Sequence, residues 1–395
     1  MRKPHQHRLL ATDLIALLLL LTPLLILTLT LIPTSKPPQS PTLKPPKPPK
    51  LAYLISGSSG DGSRVKRVLR AVYHPLNLYL VRLDPGGGDE ERADLKRFVR
   101  SERVFAEFGN VRVLEDADHV TSKGPTVVAM VLHAVAVLLK EGKEWSWFVN
   151  LSAEDYPLMP QDDLLHVFSY LPRDLNFIEH TSDMGWKENE RARPMIVDPG
   201  LYGSNKKDIF WVKDKRSMPS SFKLFVGSSS MILARPFLEF CIWGWDNLPR
   251  TLLMYYTNYL LSSEGYFHTV ICNSQEFQNT TINHDLHFVM WDNHHQPLNL
   301  TPEHFDLMIN SGAPFGRGFT SDDLILDRID SKILRRPSGG FTPGGWCLGS
   351  SLLGKDPCGV NGKPSVLRPT LSSKRLEKLL VKLLDAENFR PKQCI

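Results

Sequence analysis

Cysteine is scarce in this chain. Five occur among 395 residues, and no two stand in a CxxC pair, which removes the usual structural zinc motifs. The metalloprotease helix HExxH is missing too. The turn GSSGDG at 57–62 fits neither the dinucleotide fingerprint GxGxxG nor the phosphate loop GxxxxGK[ST]. No internal repeat is visible, so repeat architectures drop out. Excess charge is lacking as well. The net +5 sits largely in the N-terminal arm and a Lys-Pro stretch, which is no nucleic-acid footprint. What remains is ordinary globular usage, with room for one large α/β domain plus additions.

The first thing present is an address. Arg2, Lys3 and Arg8 precede an uncharged run at 14–32, long enough to cross a bilayer. The basic residues keep positions 1–13 cytosolic and send the body to the lumen. No small-x-small cleavage site follows, which favours an uncleaved signal anchor over a signal peptide. Residues 33–50, PTSKPPQSPTLKPPKPPK, have polyproline II composition and form a stem of roughly 55 Å. The expected order is cytosolic tail 1–13, transmembrane anchor 14–32, stem 33–50 and lumenal domain 51–395. In an oxidising lumen Cys347 and Cys358, flanking a Gly-rich loop, fit a disulfide. Cys241, Cys272 and Cys394 then leave at least one thiol free. Of three sequons, Asn150 follows a Trp-Phe-Val strand and is expected to be too buried, whereas Asn279 and Asn299 are expected glycosylation sites.

From residue 51 apolar runs alternate with helical periodicity. Strands are expected at 52–56, 78–83, 111–114, 145–151 and 175–178, and helices at 63–73, 89–99, 125–139 and 161–170. This succession predicts an α/β fold, a mostly parallel sheet with helices on both faces. Ligands of such sheets bind at the carboxyl ends of the strands. Those ends carry residues 56–59, Asp84 and residues 152–155. The second half is less regular. It has a polar insertion at 183–202, a strand-like stretch at 222–233, a helix at 248–261 and an amphipathic terminal helix at 373–384.

Several groups could carry chemistry. In LSSEGYFHTVI, 261–271, Glu264 stands between small polar residues and an apolar segment. Such a carboxylate suits a general base, and it equally suits a helix N-terminus. Asp116 and Asp118 form a DxD triplet, read as a solvated turn rather than a metal site. His284, His287, His294 and His295 lie near Asp285 and Asp292; HxxH with a further HH could ligate zinc, but the HExxH helix is missing and the histidines are read as structural. Arg317 lies between Gly316 and Gly318, where an Arg can clamp a diphosphate or simply face solvent.

Five segments carry a resemblance: LISGSSGDGSRVKRVLRAVYHPLNLYLVRLD, FVNLSAEDYPLMPQDDLL, HTSDMGWKENERARPMIVDPGLY, SSEGYFHTVICNS and NTTINHDLHFVMWD. Together they resemble the core-2/I-branching glycosyltransferases, glycosyltransferase family fourteen, and most of all its plant β-glucuronosyltransferases acting on arabinogalactan proteins. The likeness runs in order from residue 51 to about 358. It implies a GT-A-like fold, a single-pass type II Golgi membrane protein, and an inverting transferase that needs no metal or other cofactor. The implied substrates are UDP-glucuronic acid and a galactan chain of arabinogalactan proteins. A complex with other Golgi glycosyltransferases is compatible with it; nucleic acid is not expected.

By the same resemblance Glu264 matches the catalytic base. Gly57, Asp84, Thr121, Ser122, Lys123, Ser229, Ser230, Arg317 and Gly318 match donor-binding positions. Asp155, Asp183 and Trp186 are the acceptor-side candidates. Lys123 replaces an aromatic of xylose-transferring relatives, so its cation is expected to pair with the donor's carboxylate. Three departures stand out. Gly318 replaces the second basic residue of the diphosphate site, with Arg64 and Lys332 as stand-ins. Ser230 replaces a Trp, and Glu154 alters a stretch that plant relatives write SASDYPL. The alternatives are a non-catalytic or altered-specificity Golgi partner, a transferase using UDP-xylose or UDP-N-acetylglucosamine, and a metal-dependent enzyme built on the His cluster or Asp116 and Asp118.

Overall fold

The computed structural model describes residues 46–395 except 116–118, 205, 207, 293–296, 321–323 and 351–355. The expected anchor at 14–32 and most of the stem lie outside the described residues, as do Asp116, Asp118, His294 and His295. Among the described residues no helix is long and apolar enough to cross a membrane. One compact unit spans Lys47–Ile395.

Its centre is a seven-stranded sheet. In chain order the strands are β1 Leu51–Gly57, β2 Leu78–Leu83, β3 Val111–Val113, β4 Trp147–Ser152, β5 Asn176–Phe177, β6 Ile232–Ala234 and β7 Thr281–Ile282. Their spatial order is β7-β5-β6-β4-β1-β2-β3. All pairings are parallel except those of β6, which runs antiparallel to β4 and β5. The inner strands read as unbroken apolar runs because both faces are covered. Leu51, Tyr53 and Ile55 pack with Val65, Leu69 and Val72 of the helix Gly62–Val72. Ala52 and Leu54 point the other way, into a core with Val128, Val131 and Val135 of the helix Thr126–Lys140. The helices Arg235–Trp243, Leu248–Tyr256 and Tyr266–Asn273 complete that second layer.

The expected α/β architecture with a mostly parallel sheet is therefore present, and the differences are local. A short helix, Arg103–Phe108, follows the charged helix Asp89–Ser101. The stretch 222–233 divides. Val226–Gly227 pairs with His180–Thr181, and only Ile232–Ala234 joins the main sheet. Gly227 allows this, since a Cβ there would lie 1.8 Å from the carbonyl oxygen of Glu179. The polar insertion forms a hairpin-like pair, Pro194–Val197 with Phe210–Lys215. Two disulfides are present, Cys347–Cys358 and Cys272–Cys394, and Cys241 is a free thiol. The second bridge ties the C-terminal segment to the helix that follows Glu264.

Candidate active site

Three parallel strands end side by side. The register sets Gly57 opposite Leu83 and Ser56 opposite Ser152. The residues that follow converge at the carboxyl edge of the sheet, where backbone groups leave the ladder and become available to a ligand. They line a cleft of about 300 Å3 whose walls include Gly57, Arg82, Asp84, Ser122, Ser229 and Arg317. Gly57 admits no side chain, because a Cβ would sit 2.7 Å from Val65 Cγ2 and 2.8 Å from Asp61 Cβ. Asp84 accepts hydrogen bonds from the Gly86 N–H on Oδ1 and the Val120 N–H on Oδ2, each 3.0 Å. It thereby ties the following loop to the strand end. Arg82, buried on β2, places Nη1 3.9 Å from Asp84 Oδ2 and 3.5 Å from Met130 Sδ.

Arg317 arrives from a separate three-stranded sheet made of His287–Phe288, Phe315–Arg317 and Asp155–Pro157. Antiparallel register sets it opposite Asp155. Its Nε donates to Asp155 Oδ1 at 2.8 Å, Nη2 to Oδ2 at 3.2 Å, and Nη1 to Ser229 Oγ at 2.9 Å. The Ser152 N–H and Oγ–H also donate to Asp155. Burial alone would raise the Asp155 pKa. The charge and hydrogen bonds of Arg317 outweigh it and hold the carboxyl below the usual range. Asp155 in turn keeps Arg317 protonated against its own burial.

A second cleft of about 610 Å3 adjoins the first, and Ser229 and Arg317 line both. Trp186, Lys187, Arg191, Glu264 and Trp291 form much of its wall. Glu264 closes a 3-10 turn, Ser262–Glu264, directly before the helix Tyr266–Asn273. Leu261 opens that turn in the left-handed region, φ 56°, and its N–H donates to the Lys123 carbonyl at 2.8 Å. Gly265 is needed because a Cβ would meet the Tyr256 ring at 2.7 Å. The helix beyond is buried from Tyr266 to Cys272. The turn is thus anchored by packing while its acid faces the cleft, and the helix N-terminus favours negative charge there. Ser263 lines the first cleft, so the turn stands between the two. Arg191 Nη1 donates to Glu264 Oε2, and the same guanidinium stacks 5.1 Å from the Trp186 ring.

Residues 51–309 match the family model described as Core-2/I-Branching enzyme. The chain belongs to this family. It is a glycosyltransferase. The Arabidopsis thaliana protein Beta-glucuronosyltransferase GlcAT14B is 60% identical over 347 residues, 87% of this chain and 80% of that protein. GlcAT14C of the same plant is also 60% identical, covering 87% of this chain and 85% of its own length. Human Xylosyltransferase 2 is 28% identical over 62% of this chain and 27% of that protein.

On this Core-2/I-branching scaffold the expected residues fall into two groups. Gly57, Asp84, Ser122, Ser229 and Arg317 line the first cleft, and Trp186 and Glu264 line the second. The others lie elsewhere. Asp155, expected to hold the acceptor, is buried and engages Arg317 with both oxygens, so it positions that cation. Thr121 is buried and donates through Oγ1 to Asp198 at 2.6 Å, which places its side chain behind the cleft wall. Lys123 is exposed, outside the described lining of both clefts, and contributes its carbonyl to Leu261. Asp183 is exposed and accepts from the Gly185 N–H. Ser230 is wholly buried with an unpartnered Oγ.

Gly318 is not a vacancy in a clamp. Its φ is +101°, and a Cβ would lie 2.5 Å from the Leu298 carbonyl oxygen, so no basic side chain fits there. Of the expected stand-ins, Arg64 is held by Asp61 and the Phe319 carbonyl. Lys332 is exposed on the turn Asp330–Leu334. The second cation facing the first cleft is Arg82, which sequence reading passed over. Its only signal was a charge inside an otherwise apolar strand, LYLVRL. Arg191 and Lys187 were missed too, because a polar insertion does not reveal which of its charges turn inward. Asn279 and Asn299 are exposed. Asn150 is half-buried, its amide engaged by the Ser229 carbonyl and the Met231 N–H.

Proposed function

We propose that this protein is an inverting β-glucuronosyltransferase. It transfers glucuronic acid from UDP-glucuronic acid to galactan chains of arabinogalactan proteins, without a metal. The observation that carries the reading is the position of Glu264, on a turn between two adjoining clefts that share Ser229 and Arg317. High identity to plant proteins named β-glucuronosyltransferases supports the choice of sugar.

The first cleft takes the donor. Gly57 and Asp84 border the nucleoside, while Arg82 and Arg317 oppose the donor's negative charge. The second cleft takes the acceptor, with Trp186 and Trp291 as faces for sugar rings. The acceptor hydroxyl oxygen attacks the anomeric carbon, and its proton passes to Glu264. The bond between that carbon and the diphosphate oxygen breaks on the opposite face, which inverts the centre, and UDP departs. Arg317, fixed by Asp155 before reaction, meets the charge that develops on the leaving group and needs no reorganisation to do so. The catalytic unit is placed in the Golgi lumen behind the anchor at 14–32, a setting the two disulfides fit. A complex with other Golgi transferases belongs to the same proposal.

A donor screen on the lumenal unit tests it. UDP-glucuronic acid, UDP-xylose and UDP-N-acetylglucosamine are offered with a β-galactan acceptor, with and without EDTA. Transfer from UDP-glucuronic acid that survives EDTA is expected. Preference for another donor, or loss of transfer with EDTA, refutes the corresponding part.

A further inference from the structure

Residues 119–125 lead into the helix Thr126–Lys140 and are fastened at three places. At one end the Val120 N–H donates to Asp84 Oδ2, just past β2. At the other the Lys123 carbonyl accepts the Leu261 N–H at 2.8 Å, which fixes the residue that opens the Glu264 turn. Between these points Val120 and Ser122 line the first cleft. Four consecutive residues therefore connect the acid at the edge of the first cleft to the turn that carries Glu264.

The third fastening is Asp198, which is wholly buried. Its Oδ1 accepts the Thr121 Oγ1–H at 2.6 Å and the Gly200 N–H at 2.9 Å. Its Oδ2 accepts the Thr126 N–H at 3.0 Å and the Thr126 Oγ1–H at 2.7 Å. The Thr121 N–H donates to Thr126 Oγ1 at 2.8 Å, so the two threonines and the acid close a ring. Packing leaves no slack around it. A Cβ on Gly124 would lie 2.0 Å from Asp198 Oδ2, and one on Gly200 would lie 2.6 Å from the His119 carbonyl oxygen. Hydrogen bonds to a charged acceptor are the stronger kind. Each carboxylate oxygen here also faces a backbone N–H, which cannot turn its polarity round. An amide in place of the carboxylate would set its NH2 against one of those donors.

Asp198 lines neither cleft, so it reaches them only through the loop it holds. It belongs to the same polar insertion as Arg191, which donates to Glu264. The insertion thus holds the Glu264 turn twice. One hold is direct, through Arg191. The other runs from Asp198 through Thr121 to the Lys123 carbonyl and Leu261.

We propose that Asp198 is a positioning residue: by clasping residues 119–126 it makes occupancy of the first cleft stiffen the Glu264 turn, so that bound nucleotide and base are set together. The proposal rests on reading the first cleft as the nucleotide site and Glu264 as the base. Hydrogen exchange of the full chain with and without UDP tests it. UDP is expected to slow exchange of the amides at 261–265 by about tenfold, by suppressing local opening. In Asp198→Asn and Thr121→Val that slowing falls below about threefold. Thr121→Ser keeps the hydroxyl and restores it. Thr370→Val removes a similar hydrogen bond, to Asp163, at a residue that lines neither cleft, and keeps the full effect. In transfer assays Asp198→Asn and Thr121→Val lose about tenfold in kcat, with the acceptor KM within about twofold of the parent. If Asp198→Asn does not fold, the two Thr121 variants decide. No slowing in the unaltered protein, slowing or kcat kept in Thr121→Val, or an equal loss in Thr370→Val overturns the clasp. Failure of UDP to bind overturns the clasp and the donor reading together. Slowing that depends on Thr121 and Asp198 without glucuronosyl transfer supports the clasp and overturns only the choice of sugar.

Discussion

Arg191 donates from Nη1 to Oε2 of Glu264, across 73 positions of chain. The acid assigned as base is therefore oriented by a cation from the polar insertion, and that cation is braced by the Trp186 ring. On the proposed reading, an acceptor hydroxyl entering the second cleft meets a carboxylate already held in place. Positioning of this kind is what a base needs before proton transfer can help the reaction.

Glu264→Gln keeps the shape and hydrogen bonding of the side chain but removes its basicity. The turnover rate is expected to fall by about 10²–10⁴-fold. UDP affinity, measured by calorimetry, is expected to stay as it was, because Glu264 lines the second cleft and not the first. Retained turnover would show that another group takes the proton.

Asp155→Asn tests the support beneath Arg317. Removing one partner of a buried ion pair costs about 3–5 kcal/mol, to be read from urea unfolding. The pH dependence has a defined sign. The folded pKa of Asp155 lies below its unfolded value, near 3.9. Its stabilisation is thus full above about pH 5 and is lost as pH falls through the folded value. The variant is expected to be less stable at neutral pH and to lose less than the parent on acidification below about pH 4. An unchanged acid limb would mean that the pair contributes little.

Gly318→Arg supplies the basic residue that the family resemblance leads one to expect there. Sequence reasoning alone expects a stronger diphosphate site. The positive φ and the contact with the Leu298 carbonyl predict the reverse. Strain of about 1–3 kcal/mol or more should lower the denaturation midpoint, with no gain in UDP affinity. Tighter UDP binding at unchanged stability would contradict this.

Arg82→Met and Lys123→Ala separate two candidates for the donor's anionic groups. Arg82 lines the first cleft and Lys123 does not. Loss of a charge-assisted hydrogen bond weakens UDP-glucuronic acid binding by about ten- to hundredfold in Arg82→Met. Lys123→Ala should stay within about twofold, the effect of a distant exposed charge. The opposite ranking would return the role to Lys123.

The main sheet was legible because its signals are local. An apolar run such as LYLVRL buries on both faces, and Val65, Val68, Leu69 and Val72 repeat at helical spacing, so alternating strands and helices follow from neighbouring residues. The parallel arrangement then places Gly57 and Asp84 at one edge. Residues 222–233 and 183–202 were not legible in this way. Their strands are two to four residues long, and those at 226–234 pair with distant partners, leaving no period to read.

The sequence by itself determined the class of fold and the family. These rest on short-range pattern and on ordered motifs. Only the tertiary structure decided what each charge does. It joined Arg317 to Asp155 across 162 positions, turned Arg191 toward Glu264, and brought Cys394 to Cys272. It also showed that Gly318 is required by backbone geometry. Such pairings depend on which surfaces meet after the chain collapses, and local spacing carries no record of that.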